Sequence, residues 1–152
     1  MQQQSATIDI RILATADAYV LDKVAPDVFD RPIDARWTRE FLNDDRHHLV
    51  VALDGDVVVG FASAVHYVHP DKGPDLWINE VGVAPTHQGR GIGRQVMAAI
   101  LAHGRALGCS EAWVGTEEMN APARRLYRAS GGVEDEDRFI TYTFDLSSGG
   151  GR

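Results

Sequence analysis

The stretch that decides the fold runs Val81-Gly82-Val83-Ala84-Pro85-Thr86-His87-Gln88-Gly89-Arg90-Gly91-Ile92-Gly93-Arg94. A strand ends at Val83, a proline turn follows, and a glycine-rich run opens an amphipathic helix. In that helix Ile92, Val96, Met97, Ile100 and Leu101 recur at helical spacing, and Gly108 stops it. Gly89, Gly91 and Gly93 let backbone approach a ligand closely, because no Cβ stands in the way. Free N–H groups and the dipole at the helix start favour an anion such as a pyrophosphate, and Arg90 and Arg94 add positive charge. The plainer reading is a tight strand-to-helix turn with solvated arginines. Glycine count alone does not separate the two.

Outward from this junction the elements alternate in type. Residues 8–13 read as a first strand, Thr15 caps a helix toward Val24, and residues 25–35 form an acidic, proline-containing loop. Asp34 caps a second helix with Trp37, Phe41 and Leu42 on one face. Residues 48–53 and 57–67 flank Asp54-Gly55, a strong hairpin signal, and Gly60 marks a bulge or a close backbone approach. After a loop over 69–75, residues 76–83 form a fourth strand. Strict alternation there puts Leu76, Ile78, Glu80 and Gly82 on one side and Trp77, Asn79, Val81 and Val83 on the other. Residues 111–116 make a fifth strand, Asn120 caps a short helix stopped by Gly131-Gly132, and residues 138–146 close the sheet with Ile140, Tyr142 and Phe144 on one face. The expected order is β α α β β β α β α β. This is an α+β fold with a mixed, mostly antiparallel central sheet, one parallel pair and flanking helices.

The chain has 152 residues, a size at which one domain buries roughly 70% of its unfolded surface. We read residues 1–152 as a single domain, with an ordered core near 7–146 and frayed ends at 1–6 and 147–152. A net charge of −7 argues against a general nucleic-acid binder and suits a cationic partner. The lone Cys109 rules out an internal disulfide and reads as a small buried hydrophobe. No signal peptide or membrane-length apolar run is visible, so a cytoplasmic protein without membrane attachment is expected. A P-loop is excluded because no Gly-Lys-Ser/Thr occurs, and the glycine spacing does not fit the dinucleotide fingerprint. His66-x-x-His69 lacks a third ligand nearby, so no metal is expected.

At this point the residues resemble a known family. Gln88-x-x-Gly91-x-Gly93 after Val81-Gly82-Val83 resembles the acetyl-CoA signature of the GNAT superfamily of N-acetyltransferases. Asn120-x-x-Ala123-x-x-x-Tyr127 with Gly131 is similar to its second motif. A closer resemblance is to the type I aminoglycoside 3-N-acetyltransferases. It is carried by Asp27-Val28-Phe29, Tyr67-Val68-x-Pro70, Ile78-Asn79-Glu80-Val81, Leu126-Tyr127 and Phe144-Asp145. The resemblance implies a GNAT-like fold and direct acetyl transfer from acetyl-CoA to a primary amine, here the 3-amino group of a deoxystreptamine ring, conferring antibiotic resistance. It also implies cofactor contacts at Val81, Gly82, Val83, Gln88, Gly89, Arg90, Gly91, Ile92, Gly93, Arg94, Asn120 and Tyr127. Members of the superfamily often pair as dimers, which leaves a homodimer open.

The implied chemistry needs a base and an acid. An attacking ammonium must first lose a proton, and Glu80, in mid-strand, is the candidate base or a substrate-binding charge. Tyr127 stands where the family places the acid for the departing thiolate. Its phenol, near pKa 10, has little driving force over a thiol near 8.5, so its gain is modest. A polycationic acceptor needs carboxylates that do not react, and the candidates are Asp27, Asp30, Glu80, Glu117, Glu118, Asp135 and Glu136, with Tyr67 lining the cleft. Each carboxylate taken singly also reads as a solvated surface charge. The rival functions are acetylation of a polyamine or of a protein lysine or N-terminus, and an idle acetyl-CoA-binding sensor.

Overall fold

The computed structural model describes residues 7–147. Of the ends expected to fray, 1–6 and 147–152, all but Ser147 lie outside those residues. Five strands, β1 (Asp9–Ile12), β2 (His47–Asp54), β3 (Val57–His69), β4 (Lys72–Val83) and β5 (Ala112–Val114), form one sheet in sequence order. The first three neighbouring pairs are antiparallel, and β4 with β5 is the expected parallel pair. Three α-helices among the described residues, α1 (Ala35–Asn43), α2 (Ile92–Ala106) and α3 (Ala121–Ala129), flank the sheet and complete the expected α+β architecture.

The core lies between the sheet and α2. Val50, Ala52, Val58, Ala62, Ala64, Leu76, Ile78, Ile92, Val96 and Ile100 are almost wholly buried. Burying each large aliphatic side chain contributes roughly 1.5–3 kcal/mol, so this layer holds the fold together. A close approach demands glycine at position 60, where a Cβ would meet Ile92 Cγ2 at 2.8 Å. The bulge expected near it is present, since Ala52 pairs with Gly60 and Leu53 with Val58, leaving Val59 unmatched. Gly55 turns the hairpin at φ +64°, as Asp54-Gly55 foretells.

Several expectations need correction. The first helix is a 3-10 helix, Thr15–Asp22, and Thr15 does not cap it. Thr15 Oγ1 instead donates to the Leu42 carbonyl at 3.0 Å, tying this segment to the end of α1. Asp34 does cap α1, accepting from Arg36 N–H and Trp37 N–H, but Trp37 is exposed beneath the Arg36 guanidinium rather than packed with Leu42. β4 begins at Lys72, so the loop expected over 69–75 is a tight connection. β5 is three residues long, shorter than the expected 111–116. The closing strand over 138–146 does not form: that segment joins no sheet, and Ile140, Tyr142 and Phe144 are 78–80% exposed.

Candidate active site

β4 carries the first half of the site, and one extra residue shapes it. Ser63 pairs with Glu80 and Ala64 with Ile78, so Asn79 is a bulge opposite the Ser63–Ala64 step. A bulge of one residue flips every following side chain to the other face. Leu76 and Ile78 therefore point into the core against α2, while Glu80 and Gly82 face the opposite side with Ser63 and Phe61. The alternation expected from sequence, with Ile78 and Glu80 on one side, fails for this reason. The slip is what lifts the Glu80 carboxylate out of the core into solvent.

The same strand offers free backbone. β5 pairs only with Leu76, Trp77 and Ile78 of β4, so residues 79–83 have no neighbour on that edge. Ala84 N–H donates to the Val59 carbonyl at 2.8 Å, which sets the phase of the ladder with β3. One and three residues back from Ala84, Val83 and Val81 fall at the non-hydrogen-bonded pairs with Gly60 and Ala62, with their amide groups turned to the open edge. An extended ligand arm such as pantetheine can add there as a strand.

Beyond Val83 the loop is pinned from below. His87 Nε2 lies 2.7 Å from Asp54 Oδ2, and Thr86 Oγ1 lies 2.8 Å from His87 Nδ1, which anchors the loop to the β2–β3 turn. Gln88 donates to the Val83 carbonyl at 3.3 Å. Gly89 and Gly91 adopt φ +76° and +78°, left-handed values that a side chain rarely tolerates, and nothing stands within 4 Å of where their Cβ atoms would be. Gly91 is the N-cap of α2 and has no side chain to cap it, so the helix presents its first N–H groups outward. Arg90 and Arg94 are exposed beside it and take part in no ion pair among the described residues. The third glycine plays a different part. Gly93 faces Leu126, whose methyl carbons would lie 3.3 Å from an added Cβ, so it seats α3 on α2 and is not open to a ligand. Ile92, placed among the cofactor contacts by resemblance, is buried, leaving only its backbone for that role.

On α3, Asn120 Oδ1 accepts from Ala123 N–H at 3.1 Å. This cap uses the amide oxygen and leaves the NH2 for a ligand. Tyr127, two turns further on, is half-buried and packs against the core. Burial pushes its phenol above the ordinary value, so the hydroxyl keeps its proton at neutral pH.

A cleft of about 850 Å³ lies between the 3-10 helix, the loop over 25–35 and α1. Asp22, Asp27 and Asp30 line it together with Tyr19, Arg31 and Arg39. Phe29 in its wall stacks on Phe61 at 4.0 Å between ring centroids, and the Val28 carbonyl crosses Gly82 so closely that a Cβ there would meet it at 2.6 Å. Gly82 is thus required for the loop to lie across β4, one pleat from Glu80 on the same face. Asp27 holds φ +62°, a left-handed conformation that aspartate tolerates better than most residues.

Not every candidate gathers here. Glu80 is not in the wall of the cleft; it shares a face of β4 with Gly82, which the Val28 carbonyl crosses. Tyr67 pairs with Asp75 and stacks edge-on with His69, toward the other end of β4. Glu117, Glu118, Asp135 and Glu136 are exposed and line no part of the cleft. Their neighbour Glu134 is engaged by Arg124, Arg128 and Arg138. His66 is bonded to His48, and among the described residues no group of three or more His, Cys, Asp or Glu could hold a metal ion. Sequence reasoning missed the His87–Asp54 anchor and the contributions of Asp22, Tyr19, Arg31 and Arg39. Their partners lie far apart in the chain, and no local pattern marks them.

A half-open sheet beside a pinned, glycine-led helix N-terminus is the architecture of an enzyme that takes an acyl group from a nucleotide-bearing thiol carrier. The chain belongs to the acetyltransferase (GNAT) family, whose profile matches residues 13–131, and it is an acetyl-CoA-dependent N-acetyltransferase of that type. It is 35% identical over 88 residues to streptothricin acetyltransferase of Streptomyces lavendulae, covering 58% of this chain and 44% of that one. It is 30% identical over 107 residues to aminoglycoside N(6')-acetyltransferase type 1 of Salmonella typhimurium, covering 68% of this chain and 73% of that one. Among solved structures it resembles AAC(6')-Iy in complex with the bisubstrate analogue CoA-S-monomethyl-acetylneamine. The TM-score is 0.75 at 25% identity, covering 91% of this chain and 99% of the other. Among the described residues no helix is long and apolar enough to cross a membrane.

Proposed function

We propose that this chain acetylates an amino group of an aminoglycoside antibiotic, and that the consequence is resistance. The observation that carries the reading is the cleft, where Asp22, Asp27 and Asp30 flank the sheet face on which Glu80 stands. Several unreacting carboxylates beside one candidate base suit a polycation that must be held by amines other than the one that reacts. The names of the Salmonella relative and of the bisubstrate complex support the same class. The sequence motifs favour the 3-amino group of the deoxystreptamine ring. A second reading, transfer to the 6'-amino group, is favoured by the type of the named relatives.

When bound, acetyl-CoA supplies an acetyl thioester. The uncapped N–H groups of α2 with Arg90 and Arg94 would hold its pyrophosphate, and the outward amides of Val81 and Val83 its pantetheine arm. The Val81 N–H would polarise the thioester carbonyl. Glu80, directly or through one water, takes the proton from the acceptor ammonium, because only the neutral amine has a lone pair to attack with. The Tyr127 hydroxyl, kept protonated by burial, donates to the departing sulfur.

Thiol release in the presence of acetyl-CoA, assayed against a panel of aminoglycosides, polyamines and peptides, tests the acceptor class. Turnover with aminoglycosides is expected, and NMR of the product separates 3- from 6'-acetylation. Glu80→Gln should lower kcat about 100-fold or more, the scale of a general base. Tyr127→Phe should lower it by less. Turnover with peptides alone, or near-wild-type rates for both variants, would sink the reading.

A further inference from the structure

One row of residues crosses the sheet and ends on an aromatic pair. His47 pairs with Val65, Val65 with Trp77 and Trp77 with Trp113, so the four share one face. It is also the face of Glu80, because Glu80 pairs with Ser63, two residues from Val65 on β3. Two residues of strand span roughly 7 Å, which puts Trp77 next to the candidate base in spite of the bulge between them. At one end of the row α1 covers the face, with Phe41 stacked on His47 at 5.0 Å between ring centroids. At the other end the Trp77 and Trp113 rings meet edge to face, 4.3 Å between centroids, and Trp113 is 44% exposed. The aromatic surface continues past β5. A Cβ on Gly115 would lie 3.8 Å from Trp77 Cη2 and 3.7 Å from Phe139 Cζ, so these two rings flank a residue that has no side chain of its own.

We propose that Trp77 and Trp113 are specificity-determining residues: they form a floor that receives the C–H face of a six-membered acceptor ring, from which a ring amine reaches Glu80. The inference rests on the acceptor class proposed above and adds what selects within it. Carboxylates alone do not separate a ring-bearing polyamine from a linear one of the same charge. A ring that carries its amines and hydroxyls equatorially keeps faces made of axial C–H groups, and such a face gives up apolar surface to an indole as one rigid unit. A linear polyamine must fix several torsions to cover the same area, and that entropy is lost from its affinity. The charges then fall at the rim of the ring, where the protein is acidic. Glu80 stands beside Trp77, and Glu117 follows Gly115 by two residues. Neither takes part in an ion pair among the described residues, so both are open to ring ammoniums. An apolar aromatic surface with a few convergent polar groups is the usual make-up of a small-molecule site.

The test is steady-state kinetics on the full chain with kanamycin as the ring-bearing acceptor and spermine as its linear competitor. Trp113→Ala should raise KM for kanamycin about tenfold, with kcat and the KM for acetyl-CoA close to wild type. Trp113→Phe, which keeps an aromatic face, should restore most of the affinity. The Ki of spermine against kanamycin should stay the same in all three proteins, which also shows that the carboxylates of the site are still in place. Urea midpoints separate loss of the floor from loss of the fold. A KM for kanamycin that is unchanged in Trp113→Ala would overturn the proposal while leaving the acceptor class intact. Spermine weakened in Trp113→Ala as much as kanamycin would overturn it too, since the indoles would then serve charge and not the ring. A wild type that turns over no aminoglycoside would remove the acceptor class and the floor together.

Discussion

Lowering the pH from 7.5 to 5 should destabilise the fold by about 2 kcal/mol through one residue, His48, whose titration the structure displaces. His48 on β2 is 7% exposed beneath α2, with His103 Nε2 at 2.9 Å from its Nδ1 and His66 Nδ1 at 2.7 Å from its Nε2. In the neutral chain one proton serves each of these contacts. Burial pushes His48 from 6.5 down to about 4, assisted by repulsion from His103, His66 and His47 and opposed by Asp44. His103 on α2 is pushed down as well, chiefly by burial. The sign follows from proton counting. Between 6.5 and about 4 the unfolded chain binds a proton at His48 that the folded chain does not, so unfolding gains as pH falls. Each pH unit in that window is worth about 1.4 kcal/mol, giving roughly 3 kcal/mol for the whole interval and about 2 by pH 5. The carboxylates fall in a lower window. Glu134, held down to about 2 first by hydrogen bonding from Arg124, loses its contribution only below its unfolded value of 4.5. Urea midpoints at pH 7.5, 6 and 5 for the wild type and His48→Gln measure the effect. Gln can hydrogen-bond but cannot titrate, so the variant should lose most of the slope and keep only what His103 supplies. An equal slope in both proteins would refute the reasoning.

Two further outcomes follow from the site. Gly82→Ala places a Cβ 2.6 Å from the Val28 carbonyl and 2.7 Å from Phe61 Cε1, neither of which can swing away freely. We expect a loss of about 1–3 kcal/mol in thermal or urea unfolding, with a raised KM for the acceptor because the displaced loop carries Asp27 and Asp30. Arg90→Ala with Arg94→Ala should raise KM for acetyl-CoA by about tenfold or more at low salt, less at high salt, with kcat largely kept. An unchanged KM would remove both arginines from the cofactor site.

The glycine junction of the candidate site was legible as local structure because it is continuous in the chain. Val81 to Arg94 is one continuous stretch, and its strand, glycine turn and helix each follow from neighbouring residues. Asp54-Gly55, Asp34 and Asn120 likewise announced a turn and two caps through contacts within a few residues. The cleft was not legible in the same way, since it joins Tyr19 and Asp22 to Arg39 across a loop with no periodic signal. Thr15–Asp22 failed as an α-helix because it buries only the adjacent pair Val20 and Leu21, which gives no stripe of helical period. The apolar alternation of 138–146 was read as a closing strand, and it failed because alternation records side-chain spacing and not whether a sheet edge is within reach.

The bulge at Asn79 shows what alternation cannot reveal. Without the extra residue, Glu80 would continue the face of Leu76 and Ile78 and stand against α2, where an unpaired carboxylate would carry a desolvation penalty of several kcal/mol. With it, the same strand supplies two leucine-like anchors to the core below the bulge and a carboxylate to solvent above it. The parallel partner β5 also stops at the bulge, its last paired residue being Val114 opposite Ile78. The open edge and the outward carboxylate therefore begin at one point of the chain. On the function proposed above, a thiol carrier added along that edge would carry its acyl group toward Glu80.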